Sequence, residues 1–187
     1  MTVTIIIGKT FSGKTTLLNK FIQKGMNPIT LTTTRPIRKG EIDGVDYNFE
    51  NEISFHELTQ QEECIIEKYD VYQDGTKSVW KYALFTKDLL SVENPVLIID
   101  IDKLVELTDI LLFNEIDFKI IYIVASDDTL LQRITLSNRN NEEVIETMRR
   151  LLDDTKKYVN IEEKLDKWAL SQYTIKYIEN NKEKDND

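Results

Sequence analysis

At 187 residues, 41% of them hydrophobic and 30% charged, the chain has the composition of a soluble globular protein and the length of one domain with a real core. Its formal net charge of −9 argues against broad binding to nucleic acid or anionic membrane, so any anionic ligand must be met by locally concentrated Lys and Arg. The single cysteine, Cys64, excludes an internal disulfide and a thiolate metal site; no leader is visible, and the apolar run Val3 to Ile7 is too short to span a bilayer, so a reducing cytoplasm is expected.

Strand and helix signals alternate along the chain. "TVTIII" reads as a strand, and the helix after the next loop carries Leu17, Leu18, Phe21 and Ile22 on one face and ends at Gly25. "NPITLTTT" is a second extended stretch, and "SFHE" at 54–57 reads as a capping box that opens a short helix. "CIIEKYDVY" and "KSVWKYALF" flank Asp74-Gly75, a hairpin signal. "NPVLIIDID" is a buried strand, "DKLVELTDILLF" a helix and "FKIIYIVA" another buried strand. Ser126 caps the helix "DDTLLQRIT". The helix "NNEEVIETMRRLLDDTKKYV" repeats Val144, Ile145, Met148, Leu151, Leu152 and Tyr158 at helical spacing. "QYTIKYI" is a last strand, followed by a polar tail with nothing to bury. The alternation predicts a parallel sheet covered on both faces, with a small hairpin-bearing subdomain inserted at about residues 32–88.

"IIIGKTFSGKTT", residues 5–16, contains G-x-x-x-x-G-K-[ST] from Gly8 to Thr15. Backbone N–H groups can wrap an oxyanion only where side chains do not block the approach, hence the glycines. The candidate ATP-binding residues are Gly8, Lys9, Thr10, Phe11, Ser12, Gly13, Lys14, Thr15 and Thr16. Lys14 can reach the terminal phosphates and the Thr15 hydroxyl can ligate Mg²⁺, while the following helix aims its positive end at the same place. The strand before and the helix after satisfy the context the motif requires; a plain glycine-punctuated turn leaves Gly-Lys-Thr unexplained.

"TTTRPIRKGEIDGVDYNF", residues 32–49, sets Arg35 and Arg38 three apart beside Tyr47. Two guanidiniums and a phenol can clamp a phosphate monoester, although the same composition also suits a solvated loop. The stretch resembles the guanylate kinase family, in which a "TTR-x-P-R-x-G-E-x-x-G-x-D-Y-x-F" segment holds the phosphate of GMP. Thr33, Thr34, Arg35, Arg38, Gly40, Glu41, Gly44, Asp46, Tyr47 and Phe49 match it, with the proline moved to Pro36. "IIEKY" is similar to the family strand whose glutamate, here Glu67, recognises the guanine edge. "LIIDID" resembles the strand whose first aspartate, Asp100, lies by the metal and phosphates, and whose second, Asp102, reads the guanine amino group; a strand-end pair capping the next helix is the plainer alternative. "LLQRITLSNRNNEEVIETMRR" is similar to the family's mobile lid, with Arg133, Arg139 and Arg150 matching its catalytic arginines; taken singly, each could be a surface arginine paired with neighbours such as Glu146.

The resemblance implies a P-loop three-layer αβα fold with a parallel sheet. It divides into a core of about 1–31, 89–132 and 151–180, a monophosphate-binding region of about 32–88, a lid of about 133–150 and a polar tail of 181–187. It implies ATP-dependent phosphorylation of GMP or dGMP with Mg²⁺, catalysis by Lys14, Arg133, Arg139 and Arg150, and metal contacts from Thr15 and Asp100. The monophosphate is met by Thr33, Arg35, Arg38, Tyr47, Glu67, Tyr82 and Asp102, with Tyr72 competing for the place of Tyr82. The implied partners are these nucleotides alone, without nucleic acid or membrane, for a monomer or homodimer. Departures fall mostly on base reading. Leu31 replaces a serine that contacts guanine, "WKYAL" replaces Tyr-Tyr-Gly-Thr, Phe11 replaces a glycine, and Arg133 and Arg139 are six apart rather than four. The family's closing helix is expected to be missing or displaced into "EEKLDKWAL". Two rivals remain: the same chemistry on another base, and a binding module without catalysis. His56 is expected to be structural or solvent-facing, Cys64 a small core residue, and Trp80 and Trp168 packing residues.

Overall fold

A computed structural model describes residues 1–73, 76–137, 140–161, 163, 165 and 174–181. β1 (Thr2–Gly8) is buried from Val3 to Gly8 and lies at the centre of a five-stranded parallel sheet. The other strands are β2 (Asn27–Pro28), β7 (Pro95–Ile98), β8 (Asp117–Val124) and β9 (Thr174–Glu179), in the order β2-β7-β1-β8-β9. The central strands read as unbroken apolar runs because both faces are covered. On one face Ile5, Ile7, Leu97, Ile120 and Tyr122 pack with Leu104, Leu107 and Leu111 of α4 (Leu104–Phe113). On the other, Ile6, Val96 and Ile123 meet Leu17, Leu18 and Phe21 of α1 (Lys14–Ile22). Each such aliphatic side chain contributes about 1.5–3 kcal/mol on full burial. This is the parallel α/β core expected from the sequence.

A second, mixed sheet stands between β2 and β7 in the chain. It is formed by β3 (Thr32–Thr33), β4 (Asn48–Phe49), β5 (Cys64–Gln73) and β6 (Thr76–Phe85), in the order β4-β3-β6-β5. β5 and β6 pair antiparallel from Cys64↔Phe85 to Gln73↔Thr76; the expected Asp74-Gly75 turn lies outside the described residues. The stretch "NPITLTTT" thus divides into β2 and β3, which belong to different sheets.

α2 (Glu52–Gln61) starts earlier than expected. Asn51 is its cap, and its Oδ1 accepts the N–H of both Ile53 and Ser54, so Ser54 lies inside the first turn and does not cap it. Asn is as good a cap as Ser, and it comes first. After α3 (Thr86–Leu90), β7 and a 3₁₀ turn (Ile101–Lys103) lead into α4. Ser126 caps α5 (Asp127–Thr135) as expected, its Oγ accepting from Thr129 N–H. α6 (Asn141–Lys157) begins with a capping box of Asn140 and Glu143. Its inward face carries Val144, Met148 and Leu151, joined by Tyr158, whereas Ile145 and Leu152 are exposed although they share the apolar spacing. Cys64 packs at the edge of the small cluster of Phe55, Ala83 and Phe85. His56 is exposed, and Trp168 lies outside the described residues. Among the described residues no helix is long and apolar enough to cross a membrane.

Candidate active site

The carboxyl ends of β1, β7, β8 and β9 open onto one edge of the parallel sheet, where such folds bind ligands. The loop Gly8–Thr15 leaves β1 there and ends at the N-terminus of α1. Its backbone is tightly confined. A Cβ at Gly8 would stand 2.7 Å from Ser12 Oγ and 2.9 Å from the Ile123 carbonyl. Gly13 has φ +102°, and a Cβ there would meet Asn180 Nδ2 at 2.6 Å. Phe11 holds φ +64° without being glycine, a left-handed backbone costing about 1–2 kcal/mol. Its ring packs against Ala125, Leu130, Ile134 and Leu151, which offsets the strain.

The loop is held from beneath. Asn180, just past β9, donates through Nδ2 to the Ser12 carbonyl at 2.8 Å. Arg133 on α5 donates to the Phe11 carbonyl at 3.2 Å and to the Asn180 carbonyl at 2.9 Å. In this arrangement Arg133 braces the loop backbone. Lys9 pairs with Asp127 at 2.7 Å. Thr15 and Thr16 are exposed at the start of α1, and Ser12 Oγ is buried without a hydrogen-bond partner. The Lys14 ammonium folds over the loop and donates to the carbonyls of Gly8 (2.6 Å) and Lys9 (2.8 Å). Burial, together with nearby Arg150, lowers its pKa to about 8 against the opposing pull of Asp154, Asp100 and Glu67.

Two loop N–H groups are met by side chains from α6 and its end. Thr10 N–H donates to Asp154 Oδ2 at 2.5 Å, and Gly8 N–H to Tyr158 Oη at 2.8 Å. The next residue on that face, Lys157, bridges Asp100 (3.0 Å) and Asp102 (2.7 Å). Arg150 lies over the Tyr69 ring with its guanidinium carbon 5.3 Å from the centroid. Arg150, Asp154, Lys157 and Tyr158 therefore form one polar edge of α6 at helical spacing. Reading that helix from its apolar residues missed Asp154 and Lys157; four- and seven-residue spacing from Arg150 was the available signal. The Glu146 pairing offered as the plainer alternative for these arginines belongs to Arg149, and Arg139 lies outside the described residues.

The acceptor side gathers Glu67, Tyr69, Tyr82 and Asp100. Glu67 accepts the Asp100 N–H at 2.8 Å, and the Tyr69 hydroxyl stands 3.0 Å from both Glu67 Oε2 and Asp100 Oδ2. Burial and the neighbouring Asp100 charge push the Glu67 carboxyl up. Burial also favours neutral Asp100, yet the Asp102 N–H and the Lys157 ammonium outweigh it and hold that carboxyl below its ordinary value. Asp100 also caps the 3₁₀ turn through Asp102 N–H, so the plainer reading of this pair describes part of its work. A small apolar recess beside Glu67 is walled by Leu31, Ile65, Tyr82, Leu84 and Ile99.

Tyr82 is buried and makes edge contacts with Tyr47 and Tyr69 at centroid distances of 5.6 and 5.4 Å. Arg35 is also buried. Its two terminal nitrogens bind Glu41 at 2.9 and 2.7 Å, and Tyr47 and Phe49 flank the guanidinium at 5.1 and 5.4 Å. Thr33 Oγ1 accepts the Arg35 N–H and donates to the Lys81 carbonyl. Arg38 is exposed, its guanidinium 5.7 Å from the Trp80 ring. Of the two arginines, Arg35 has its fork engaged by Glu41 and Arg38 is the more exposed.

For Mg²⁺ the donor set is mixed. The exposed Thr15 hydroxyl fits an ion that keeps waters and phosphate oxygens for most of its ligands. Asp100 already has Tyr69, Lys157 and the Asp102 N–H on its oxygens. Among the described residues no group of three or more His, Cys, Asp or Glu side chains is arranged to hold a metal.

The guanylate kinase family model matches residues 1–170. No curated protein sequence matches the chain. Among solved structures, that of guanylate kinase from Anaplasma phagocytophilum is similar, with a TM-score of 0.57 at 19% identity, over 96% of this chain and 77% of that one. At that identity the likeness speaks for the fold.

Proposed function

The chain belongs to the guanylate kinase family, and from that premise we propose that it transfers the terminal phosphoryl group of ATP to GMP or dGMP. The observation that carries this reading is the convergence on α6. One helix edge touches the phosphate loop through Asp154 and the acceptor-side carboxylates through Lys157. The two halves that such a transfer must bring together are thereby one contiguous site.

The loop's N–H groups and the α1 N-terminus suit the phosphates of ATP. Lys14 leaves the carbonyls of Gly8 and Lys9 and pairs with the phosphoryl group that moves. Thr15 is the residue that would hold Mg²⁺, which when bound would supply charge neutralisation to the phosphates. Arg38 meets the acceptor phosphate from the solvent side, Arg35 anchors the 32–49 loop through Glu41, and Glu67 accepts from the guanine ring N–H. No protein nucleophile is required, because an acceptor phosphate oxygen is competent once positioned and its charge is offset.

Replacing Arg38 by Ala tests the assignment. It should raise KM for the monophosphate roughly tenfold or more while leaving KM for ATP nearly unchanged, since hydrogen bonds to charged groups are worth about 1.5–3 kcal/mol. Equal loss on both substrates would contradict it.

A further inference from the structure

Glu67, Asp100 and Asp102 set three carboxylates around the end of β7, although the proposed ligand is itself an anion. One cation touches two of them. Lys157 Nζ stands 3.0 Å from Asp100 Oδ2 and 2.7 Å from Asp102 Oδ2. The lysine side chain is 27% exposed and Asp100 11%, but Asp102 is 57% exposed and lies in a 3₁₀ turn. An aspartate so exposed would otherwise sample several rotamers, and ordering it on ligand binding would cost about threefold to tenfold in affinity. The lysine removes that freedom before the ligand arrives. No other hydrogen bond to the Asp102 side chain is present among the described residues, so Oδ1 remains available as an acceptor.

We propose that Lys157 is a positioning residue for base discrimination. It ties Asp102 to the less exposed Asp100 and aims the second Asp102 oxygen at an exocyclic amino donor on the base. Lys157 does not touch the base; it acts through Asp102. This rests on the guanine reading above and adds a determinant outside the residues that contact nucleotide. The reach of an α6 side chain also makes base reading depend on the helix that borders the phosphate loop.

The test compares GMP with inosine monophosphate, which lacks only the 2-amino group, in the unmodified protein and in Lys157→Met and Lys157→Arg. The unmodified protein should prefer GMP in kcat/KM. Lys157→Met should shrink the GMP:IMP ratio about tenfold, through KM for GMP, with KM for ATP nearly unchanged; Tm should fall, because Asp100 loses its paired cation. Lys157→Arg should restore part of the ratio, because a guanidinium can still bridge two carboxylates. If Lys157→Met fails to fold, Lys157→Gln serves, keeping a donor without the charge. A variant that loses activity but keeps the GMP:IMP ratio overturns the proposal, since a merely structural lysine would act on both substrates alike. A ratio near one in the unmodified protein would overturn the Asp102 contact with the 2-amino group, and this inference with it, while the Glu67 reading is tested separately by GMP against AMP.

Discussion

The Asp154 carboxylate accepts the Thr10 N–H at 2.5 Å, so the phosphate loop already holds an anion from its own chain. A loop built to bind oxyanions through N–H groups is partly satisfied by a carboxylate on α6. In the proposed reaction ATP competes with that contact and meets a nearby negative charge. Asp154→Asn should therefore tighten ATP binding, by about tenfold on the scale of one charged hydrogen bond, and leave monophosphate binding unchanged. Calorimetric titrations with a non-hydrolysable ATP analogue and, separately, with GMP measure the two arms.

Lys14 links catalysis to stability. Its ammonium is desolvated and its pKa falls to about 8, against an ordinary 10.5. Between those values the unfolded chain binds more protons than the folded one, so stability should rise with pH from about 8 to about 10.5; the lysine's contribution is lost as pH falls through 8. Lys14→Met should flatten that slope in denaturant titrations and abolish phosphoryl transfer. Activity surviving in the folded variant would contradict the role given to the loop.

Phe11 isolates backbone strain from packing. At φ +64° glycine is the unstrained residue, while the phenyl ring supplies contacts to the Leu130 and Ile134 cluster. Phe11→Ala should lose the packing and keep the strain; Phe11→Gly loses the packing and sheds the strain. The glycine variant should be the more stable of the two by about 1 kcal/mol, measured by chemical unfolding.

The alternation of buried strands and amphipathic helices was legible because "TIII", "VLII" and "KIIYIV" are unbroken apolar runs that only a sheet covered on both faces can hide. The phosphate-loop glycines were equally legible, as their spacing answers to local backbone demands at Gly8 and Gly13. Tertiary relationships were not. The α2 cap fell to Asn51 because two good capping residues stood three apart and the sequence does not rank them. Ile145 and Leu152 looked as apolar as Met148, but among the described residues no element packs over them. Asp154 and Lys157 escape a reading of the helix by its apolar residues, since nothing in their own segment shows that a loop some 144 residues earlier, and Asp100 and Asp102, lie opposite. Arg35 looked like an open phosphate fork until the structure paired it with Glu41, six residues on.

The most direct measurement is ATP-dependent phosphorylation of a panel of monophosphates: GMP, dGMP, AMP, dAMP, CMP, UMP and dTMP, with product nucleotides resolved by chromatography. A half-buried carboxylate accepting from a ring N–H, the role proposed for Glu67, rejects a base without that N–H, commonly by about 10⁴. The account therefore expects GDP or dGDP from GMP or dGMP, far ahead of any adenine or pyrimidine product. Fastest turnover of AMP or a pyrimidine would contradict the base assignment and leave a kinase; no diphosphate from any member of the panel, with folded protein and Mg²⁺ present, would contradict the kinase itself.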